Sequence, residues 1–222
     1  MSFSEEWDKI YSKGQQIAVW PWSDLISYVI RYSKPDKTPF SVLELGCGAA
    51  ANIPFFKRLG VDYYGLEGSP SIVNQLHTTY PDLKDKIIAA DFTTDFHFEK
   101  KFDLIFDRAS VTHNNSDSIV RCISLVKSHL KPNGKYIGID WFSTMHDHYQ
   151  EGDFDGDRYT RSSIPIGQFQ GVGKVHFSDK AHLEDLFREF EIIQLDHKIV
   201  KTEIPDTNHT FASWNFVAQN NR

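Results

Sequence analysis

The sequence predicts an α/β fold with a doubly wound, mainly parallel sheet, and three observations support this. Apolar runs typical of strands alternate with helical patterns from residue 41 onward. A short apolar strand meets a glycine turn at residues 42–48, Val-Leu-Glu-Leu-Gly-Cys-Gly, as in folds that hold an adenosine-containing cofactor. Two longer strands near the end of the chain are close enough to form a hairpin, which adds one antiparallel strand.

The predicted sheet has seven strands, so the fold is Rossmann-like. The first five strands are Ser41–Cys47, Asp62–Glu67, Lys86–Asp91, Phe102–Arg108 and Lys135–Trp141. Helical stretches lie around residues 50–59, where the run Ala49-Ala50-Ala51 opens a helix, 70–79 and 117–130, and the last ends at a turn signal in residues 131–134, Lys-Pro-Asn-Gly. A further helix begins at the cap Ser178-Asp179 and continues through Phe190, and the strands Glu191–Lys201 and Thr210–Ala218 follow it.

We expect residues 1–222 to form a single domain with two additions. Residues 1–37 should form an N-terminal helical cap of two helices, and the second starts at Pro21-Trp22-Ser23-Asp24 and covers one mouth of the domain. Residues 143–177 have no clean period and carry several glycines. Because a loop of that length inside a compact domain is usually a functional lid or a disordered segment, we interpret it as a lid inserted between strand five and the last helix.

The composition excludes several classes of protein. A chain of 222 residues with 40% hydrophobic residues can bury one large core. A net charge of −6 without a basic stripe argues against a nucleic-acid partner. No apolar run approaches the ~20 residues of a membrane span, and the N-terminus does not resemble a signal peptide. The two cysteines, Cys47 and Cys122, are 75 residues apart in sequence, which fits a reducing cytoplasm better than a disulfide framework.

The glycine turn at residues 46–48 indicates a cofactor but leaves its identity open. Gly46 and Gly48 allow a tight turn and a close approach of the backbone to a ligand. Glu44 suits a ligand with an ammonium group, such as S-adenosylmethionine (SAM), and would repel a pyrophosphate. However, Gly46, Gly48 and Ala51 also fit the relaxed dinucleotide pattern, with Glu67 at the spacing of a ribose-binding acid. Plain tight packing is the third alternative. The lack of a second, substrate-binding domain disfavours NAD.

Five motifs in order make the chain resemble the class I SAM-dependent methyltransferases over about residues 38–219. They are Glu44-x-Gly46-x-Gly48, Tyr64-Gly65-Leu66-Glu67-Gly68-Ser69, Ala89-Ala90-Asp91-Phe92, Phe102-Asp103-Leu104-Ile105-Phe106-Asp107 and Leu130-Lys131-Pro132-Asn133-Gly134-Lys135. Ala50 stands where many members carry a third glycine. The resemblance implies the same fold, methyl transfer as the activity and SAM as the cofactor.

The same resemblance implies a set of cofactor-binding residues. Glu67 matches the acid that grips both ribose hydroxyls, and Asp91 matches the acid that meets the adenine amino group. The alternatives are a solvated strand end for Glu67 and a helix cap for Asp91. The expected cofactor-binding residues are Glu44, Gly46, Cys47, Gly48, Glu67, Gly68, Ser69, Asp91, Phe92 and Asp107. Because Glu44, Glu67 and Asp91 end successive parallel strands, we expect them to converge on one crevice.

The methyl acceptor is predicted from residues that follow strands four and five. His113 is the candidate general base, with packing as its alternative role. The expected acceptor contacts are Trp20, His146, His148, Tyr159 and Arg161. Asp153, Asp155 and Asp157 resemble a calcium loop, but Ile164 occupies the position that requires a Glu, so no metal is expected. A solvated acidic lid and substrate contact remain open for this segment.

These observations favour a SAM-dependent methyltransferase acting on a small polar molecule through an oxygen or nitrogen acceptor. The Asn/Asp-Pro-Pro-aromatic signature of methylation on adenine or glutamine amino groups is absent, and Asp107-Arg108-Ala109-Ser110 stands in its place. Asp107-Arg108-Ala109 loosely resembles thiol-type S-methyltransferases, so a thiol acceptor is one alternative. The other is a protein that binds SAM or S-adenosylhomocysteine without catalysis. The expected partner is a small molecule, with no nucleic acid and no membrane.

Overall fold

The computed structural model describes residues 5–14, 18–35 and 39–221, so residues 1–4, 15–17, 36 and 37 of the expected cap lie outside the described residues. The strands of the main sheet are β1 (Ser41–Leu45), β2 (Asp62–Glu67), β3 (Ile87–Ala89), β4 (Phe102–Arg108), β5 (Leu130–Phe142), β9 (Glu191–Lys201) and β10 (Thr210–Gln219). Between β5 and β9 lie the short strands β6 (Asp153–Phe154), β7 (Thr160–Ser162) and β8 (Val175–His176). The helices are α1 (Glu5–Ser12), α2 (Ser23–Tyr28), α3 (Ile53–Leu59), α4 (Pro70–Thr79), α5 (Ser116–His129) and α6 (Lys180–Leu186).

The main sheet has the strand order β3-β2-β1-β4-β5-β10-β9. Strand β10 runs antiparallel to both of its neighbours, β5 and β9, and the other neighbouring strands are parallel. The prediction of a seven-stranded, mainly parallel, doubly wound sheet with one antiparallel strand is therefore confirmed. The strand order reverses between β1 and β4, which is the place where such sheets bind ligands.

Alternate residues of the central strands build two hydrophobic cores, one on each face of the sheet. On β4, Leu104 and Phe106 pack in a core with α2, α3 and α4, whereas Ile105 packs in a core with α5 and α6. Side chains cap three of the helices, since Ser69, Asn115 and Asp179 accept from backbone N–H groups of α4, α5 and α6. No helix within the described ranges has the length and apolar character needed to cross a membrane.

Several predicted boundaries were wrong for local reasons. The helix expected from residue 50 begins at Ile53, because Ala50 has a φ of 75° in the left-handed region, which an α-helix cannot include. The expected turn at residues 131–134 lies within β5 as an irregularity, where pairing with β4 passes from Leu130 to Lys135 and Asn133 has a φ of 61°. Helix α6 ends at Leu186 instead of Phe190.

The segment 143–177, which forms an insert between β5 and α6, is more regular than its sequence indicated. Strands β6, β7 and β8 form a three-stranded antiparallel sheet within it. The segment has its own hydrophobic cluster, made of Phe142, Ile164, Phe169, Val172, Val175 and Phe177. Periodicity failed to reveal this structure because two of the strands have only two residues, too few to establish an alternating pattern.

Candidate functional site

One cavity of about 590 Å³ opens at the carboxyl ends of the parallel strands, beside the reversal between β1 and β4. Residues after β1, β2, β3 and β4, together with residues near the end of β5, line its floor. The N-terminal region contributes Trp7, Tyr11, Ala18 and Trp22, and the insert contributes Gln168, Phe169 and Val172. Its volume lies within the roughly 300–1,000 Å³ typical of small-molecule sites.

The glycine loop after β1 requires glycine at two positions. Gly46 has a φ of 71° and Gly48 a φ of 49°, both in the left-handed region. A Cβ atom at Gly46 would collide with the side chain of Ser110, and one at Gly48 would lie 2.9 Å from the hydroxyl oxygen of Tyr11. The loop therefore presents its backbone to the cavity without side chains in between. Cys47 also lines the cavity between the two glycines.

The carboxylate of Glu67, at the end of β2, accepts hydrogen bonds from two backbone N–H groups. Its carboxylate accepts from the N–H of Gly48 at 2.8 Å and from the N–H of Ser69 at 3.0 Å. Burial raises the pKa of Glu67, and these backbone hydrogen bonds oppose that rise by favouring the charged form. The carboxylate is thus fixed in the cavity wall beside Gly68, with lone pairs left to accept from ligand hydroxyls.

Glu44 lines the same cavity but is only 2% exposed. It accepts from the Asn52 side-chain amide at 2.7 Å and from the Tyr63 hydroxyl at 2.5 Å. Burial raises its pKa to about 7, although both hydrogen bonds act in the opposite direction. Glu44 therefore changes charge near neutral pH, and a nearby cation would shift it towards the ionised form.

Asp91 and Phe92 lie just after β3 and line the cavity. The Oδ1 atom of Asp91 accepts from the backbone N–H and the hydroxyl of Thr93, at 2.9 and 2.7 Å. Asp91 thus holds the turn that follows β3 while facing the cavity. No helix follows Asp91 in the described stretch before β4, so the helix cap considered in the sequence is wrong, and the contact with a ligand stays a prediction.

Two of the expected cofactor-binding residues lie behind the cavity wall. Ser69 is fully buried and caps α4, and its hydroxyl also donates to Asp8 of α1. The fully buried carboxylate of Asp107 accepts from Tyr136 and Trp141 through one oxygen, and from the backbone N–H groups of Ser110 and Val111 through the other. We therefore reassign both residues to positioning the site. Ser69 holds α1 in place through Asp8, and Asp107 holds the loop after β4.

His113 follows β4 and lines the cavity, as the sequence predicted. Its Nδ1 atom lies 2.9 Å from the carbonyl oxygen of Lys174, so Nδ1 carries the proton and donates it. Its ring packs edge-on against Trp7, with centroids 4.9 Å apart. Burial lowers its pKa to about 4, so the imidazole is neutral at pH 7 and its Nε2 atom is an acceptor.

The expected acceptor contacts lie elsewhere. Trp20 is 76% exposed, and its neighbour Trp22 lines the cavity instead. Tyr159 stacks on His182, with ring centroids 3.7 Å apart. The guanidinium of the buried Arg161 donates hydrogen bonds to the carbonyl oxygens of residues 149, 158 and 160 inside the insert. We therefore withdraw Trp20, Tyr159 and Arg161 as acceptor contacts.

His146 and His148 are also outside the cavity, buried against each other and against His209 and Phe169. Burial, together with the neighbouring His148 and His209, lowers the pKa of His146 to about 3. Phe169 separates this cluster from the acceptor region, because it packs on His146 and lines the cavity. Because neither histidine lines the cavity, we also withdraw both as direct acceptor contacts.

The acidic stretch of the insert serves local structure. Asp157 accepts from the backbone N–H groups of Ser116, Tyr159 and Thr160. Asp155 pairs with Lys174 at 3.0 Å. Within the part of the chain that the structure describes, no group of three or more His, Cys, Asp or Glu side chains is arranged to hold a metal ion.

A charged network beside the cavity was missed at the sequence level. The guanidinium of Arg108 lies 3.6 Å from the ring centroid of Trp22, and its Nη2 atom donates to Asp140 at 2.9 Å. Asp140 also pairs with Lys198 at 2.6 Å, and Lys198 pairs with Asp24 at 3.0 Å. These residues lie on four separate elements, so no spacing in the sequence could indicate that they meet.

Comparison with known proteins adds family-level evidence. Residues 42–134 match a family model described as a methyltransferase domain. No curated protein gives a significant sequence match.

Solved structures share the fold at low identity. A SAM-dependent methyltransferase from Methanosarcina mazei aligns at a TM-score of 0.67 and 14% identity, over 90% of this chain and 98% of that one. One from Clostridium acetobutylicum aligns at 0.63 and 14%, over 97% and 96%. The 1,6-didemethyltoxoflavin-N1-methyltransferase of Burkholderia thailandensis, solved with 1,6-didemethyltoxoflavin and S-adenosylhomocysteine bound, aligns at 0.66 and 15%, over 97% and 85%.

Proposed function

We propose that this chain, a class I SAM-dependent methyltransferase, transfers the methyl group to a small polar molecule, at an oxygen or an uncharged nitrogen atom. The family, the enzyme class and the SAM cofactor predicted from the sequence are confirmed. The acceptor class and the individual site residues are our proposal. One observation supports it most strongly: the cavity that contains Glu44, Glu67 and Asp91 also contains His113.

The residues at one end of the cavity suit SAM. We assign Glu67 to the ribose hydroxyls, since a carboxylate fixed by two backbone N–H groups is well placed to accept from a diol. Asp91 and Phe92 are assigned to the adenine, and Glu44 with the loop of Gly46, Cys47 and Gly48 to the amino-acid end. When bound, SAM supplies an already activated methyl group on a sulfonium. The protein then has mainly to position the acceptor and to accept a proton.

His113 is our candidate for the proton acceptor. With Nδ1–H donated to Lys174, the neutral ring offers Nε2 as a base. A pKa of about 4 makes that base weak. Taking a proton from an alkylammonium group of pKa ~10.4 would cost about 9 kcal/mol, which disfavours such acceptors. A hydroxyl group becomes strongly acidic as its oxygen bonds to the methyl carbon, so a weak base suffices there. A neutral ring nitrogen needs little or no base.

Small acceptors are favoured by the elements that surround the cavity. Trp7, Tyr11 and Trp22 of the cap, together with Gln168, Phe169 and Val172 of the insert, line it away from the sheet. We propose that residues 1–37 act as a cap and residues 143–177 as a lid over the acceptor. Hydrogen exchange tests the lid: amides of residues 166–173 should be protected further when S-adenosylhomocysteine and an acceptor bind. Unchanged exchange there would contradict a lid.

Two further proposals concern the surroundings of the enzyme. The net charge of −6 supports a small-molecule partner over nucleic acid, and a gel shift with RNA or DNA would contradict this. The free cysteines Cys47 and Cys122 are both buried, which supports a reducing compartment such as the cytoplasm. Detection of the native protein only in an oxidising compartment would contradict that location.

A screen for S-adenosylhomocysteine formation tests the proposed function. The screen should include phenols, alcohols, neutral heterocycles, amines and thiols, each with SAM. We expect turnover with hydroxyl compounds or neutral heterocycles. Turnover with thiols alone would identify an S-methyltransferase, and SAM binding without turnover in any class would indicate a non-catalytic binder. Both outcomes would contradict the proposal.

A further inference from the structure

Arg108 occupies a position in the cavity that the proposed chemistry does not use. It is the last residue of β4, and it is the one Arg or Lys side chain among the described residues that line the cavity. The carboxylates assigned to the cofactor lie at or near the carboxyl ends of β1, β2 and β3. Arg108 lies on the other side of the strand-order reversal, with Asp140 of β5 beside it. His113 follows the same strand, so Arg108 belongs to the acceptor end.

The guanidinium of Arg108 is held in place. It stacks on Trp22 at 3.6 Å, and its Nη2 atom donates to Asp140. The other carboxylate oxygen of Asp140 forms an ion pair with Lys198 and accepts a hydrogen bond from the hydroxyl of Ser213. A guanidinium fixed by a stacked indole and a carboxylate is pre-organised to bind a planar anion.

Part of that guanidinium has no partner. The Nε–H of Arg108 is buried and makes no hydrogen bond with any residue that the structure describes. Buried donors are nearly always paired in folded proteins, and 26% of the Arg108 side chain is exposed, so the unpaired Nε–H indicates a guanidinium that gains a partner when a ligand binds beside it. Because guanidinium groups bind carboxylates through charge-assisted hydrogen bonds, a carboxylate is the group that matches best.

Apolar side chains form a large part of the remaining wall at this end, beside the polar His113, Asn114 and Gln168. Trp22, Phe142, Phe169, Val172 and Phe211 line the cavity. They suit a flat, apolar body attached to the anionic group. We propose that Arg108 anchors a carboxylate on the methyl acceptor, and that the acceptor is a small aromatic acid. This inference rests on the proposed function, since it assigns the acceptor within the same site.

SAM carries a carboxylate of its own, which Arg108 would bind by the same chemistry. The two sources make different predictions. If Arg108 serves the acceptor, its replacement leaves the affinity for S-adenosylhomocysteine unchanged and weakens the binding of aromatic acids. If it serves the cofactor, the affinity for S-adenosylhomocysteine falls instead, and the proposal is overturned.

Calorimetry with benzoate and benzamide tests the inference directly, because the two molecules have nearly the same shape and differ in charge. With the wild-type protein saturated by S-adenosylhomocysteine, benzoate should bind about 10-fold or more tightly than benzamide. Arg108→Gln should remove this preference, and Arg108→Lys should restore part of it, since lysine keeps the charge without the planar fork. Arg188→Gln is the matched control, because Arg188 is an exposed residue after α6, outside the cavity.

The comparison of benzoate with benzamide uses the wild-type protein, so its result does not depend on whether Arg108→Gln folds. Equal binding of benzoate and benzamide by the wild-type protein would overturn it. A preference for benzoate that persists in Arg108→Gln would also overturn it. The proposed function fails separately, if no acceptor class yields S-adenosylhomocysteine.

Discussion

The carboxylate of Glu67 accepts a hydrogen bond from the backbone N–H of Gly48 at 2.8 Å, which joins the acid after β2 to the glycine loop after β1. A second bond, from the N–H of Ser69, fixes the other carboxylate oxygen. The two halves of the proposed cofactor site therefore form one unit. A change at Glu67 should affect both the ribose contact and the loop geometry.

Glu67→Ala should weaken SAM binding by roughly 1.5–3 kcal/mol, the scale of a hydrogen bond to a charged group. Glu67→Gln should also weaken it, because a carboxamide has one oxygen and cannot accept from both backbone N–H groups while binding the ribose. Calorimetry on folded variants measures both effects, and Glu184→Ala, an exposed substitution on α6, is the control.

Asp91→Ala should reduce the affinity for SAM less than Glu67→Ala, because it removes a single contact to the adenine. A larger loss at Asp91 than at Glu67 would reverse our ranking of the two acids. Unchanged affinity in a folded Glu67→Ala variant would remove the ribose assignment altogether.

The sequence was sufficient for the architecture and for the floor of the cavity. Glu44, Glu67 and Asp91 were predictable because each ends a parallel strand, and the order of such strands fixes where their ends meet. The walls were not predictable in the same way. Trp7, Trp22 and Arg108 approach the cavity from separate elements, and only tertiary packing brings them together. The clustered tryptophans at the N-terminus were a signal, but the sequence could not show which of them faces inward.

The insert illustrates the same limit. His146, His148, Tyr159 and Arg161 have the residue types of a binding site, and this suggested acceptor contacts. In the structure His146 accepts from the backbone N–H of His148, Arg161 donates to backbone carbonyl oxygens of the insert, and Tyr159 stacks on His182. Residue type predicts what a side chain can bind, whereas the fold decides which partner it reaches.

Glu44 should make SAM binding pH-dependent. Its pKa is about 7 in the free protein, and the ammonium group of SAM would lower it in the complex. Binding below pH 7 should therefore release a proton, and the affinity for SAM should rise with pH and level off above about pH 7. Calorimetry at pH 6 in two buffers of different ionisation enthalpy measures the proton released.

Glu44→Gln should abolish that proton release, whereas Glu184→Gln on the exposed face of α6 should leave it unchanged. If the wild-type protein exchanges no proton on binding SAM at pH 6, then Glu44 does not respond to the ammonium group. Its buried carboxylate would then serve only Asn52 and Tyr63.

Ala50 should tolerate glycine unusually well. Its φ of 75° costs an L-residue roughly 1–2 kcal/mol, which glycine avoids. The gain is offset by the entropy of glycine in the unfolded chain, roughly 0.4–1 kcal/mol, and by the loss of a buried methyl, about 0.8 kcal/mol. The free energy of unfolding of Ala50→Gly should therefore lie within about 0.8 kcal/mol of wild type.

Ala212→Gly is the matched control for Ala50→Gly. Ala212 is also buried, but it lies in β10 and its backbone is not left-handed, so glycine brings no relief there. Chemical denaturation should show a loss of roughly 1.3–1.8 kcal/mol for this variant. Equal losses at the two positions would mean that Ala50 is not strained.

The role of His113 tests the central claim most directly, namely that a base in the SAM cavity accepts a proton from a small hydroxyl acceptor. The measurement is the rate of S-adenosylhomocysteine formation at saturating SAM and acceptor from pH 4 to 9, for wild type and His113→Asn. Because burial lowers the pKa of His113 to about 4, the wild-type rate should be flat from pH 8 to about 5 and fall only near pH 4. An unperturbed histidine would instead give a fall near pH ~6.5.

His113→Asn should lower kcat by about 10²-fold or more over the flat region and leave the affinity for SAM nearly unchanged. That combination is the result we predict, since it removes the proton acceptor without touching the residues assigned to the cofactor. A variant with full activity and the wild-type pH profile would contradict it, and would leave His113 as a packing residue beside Trp7.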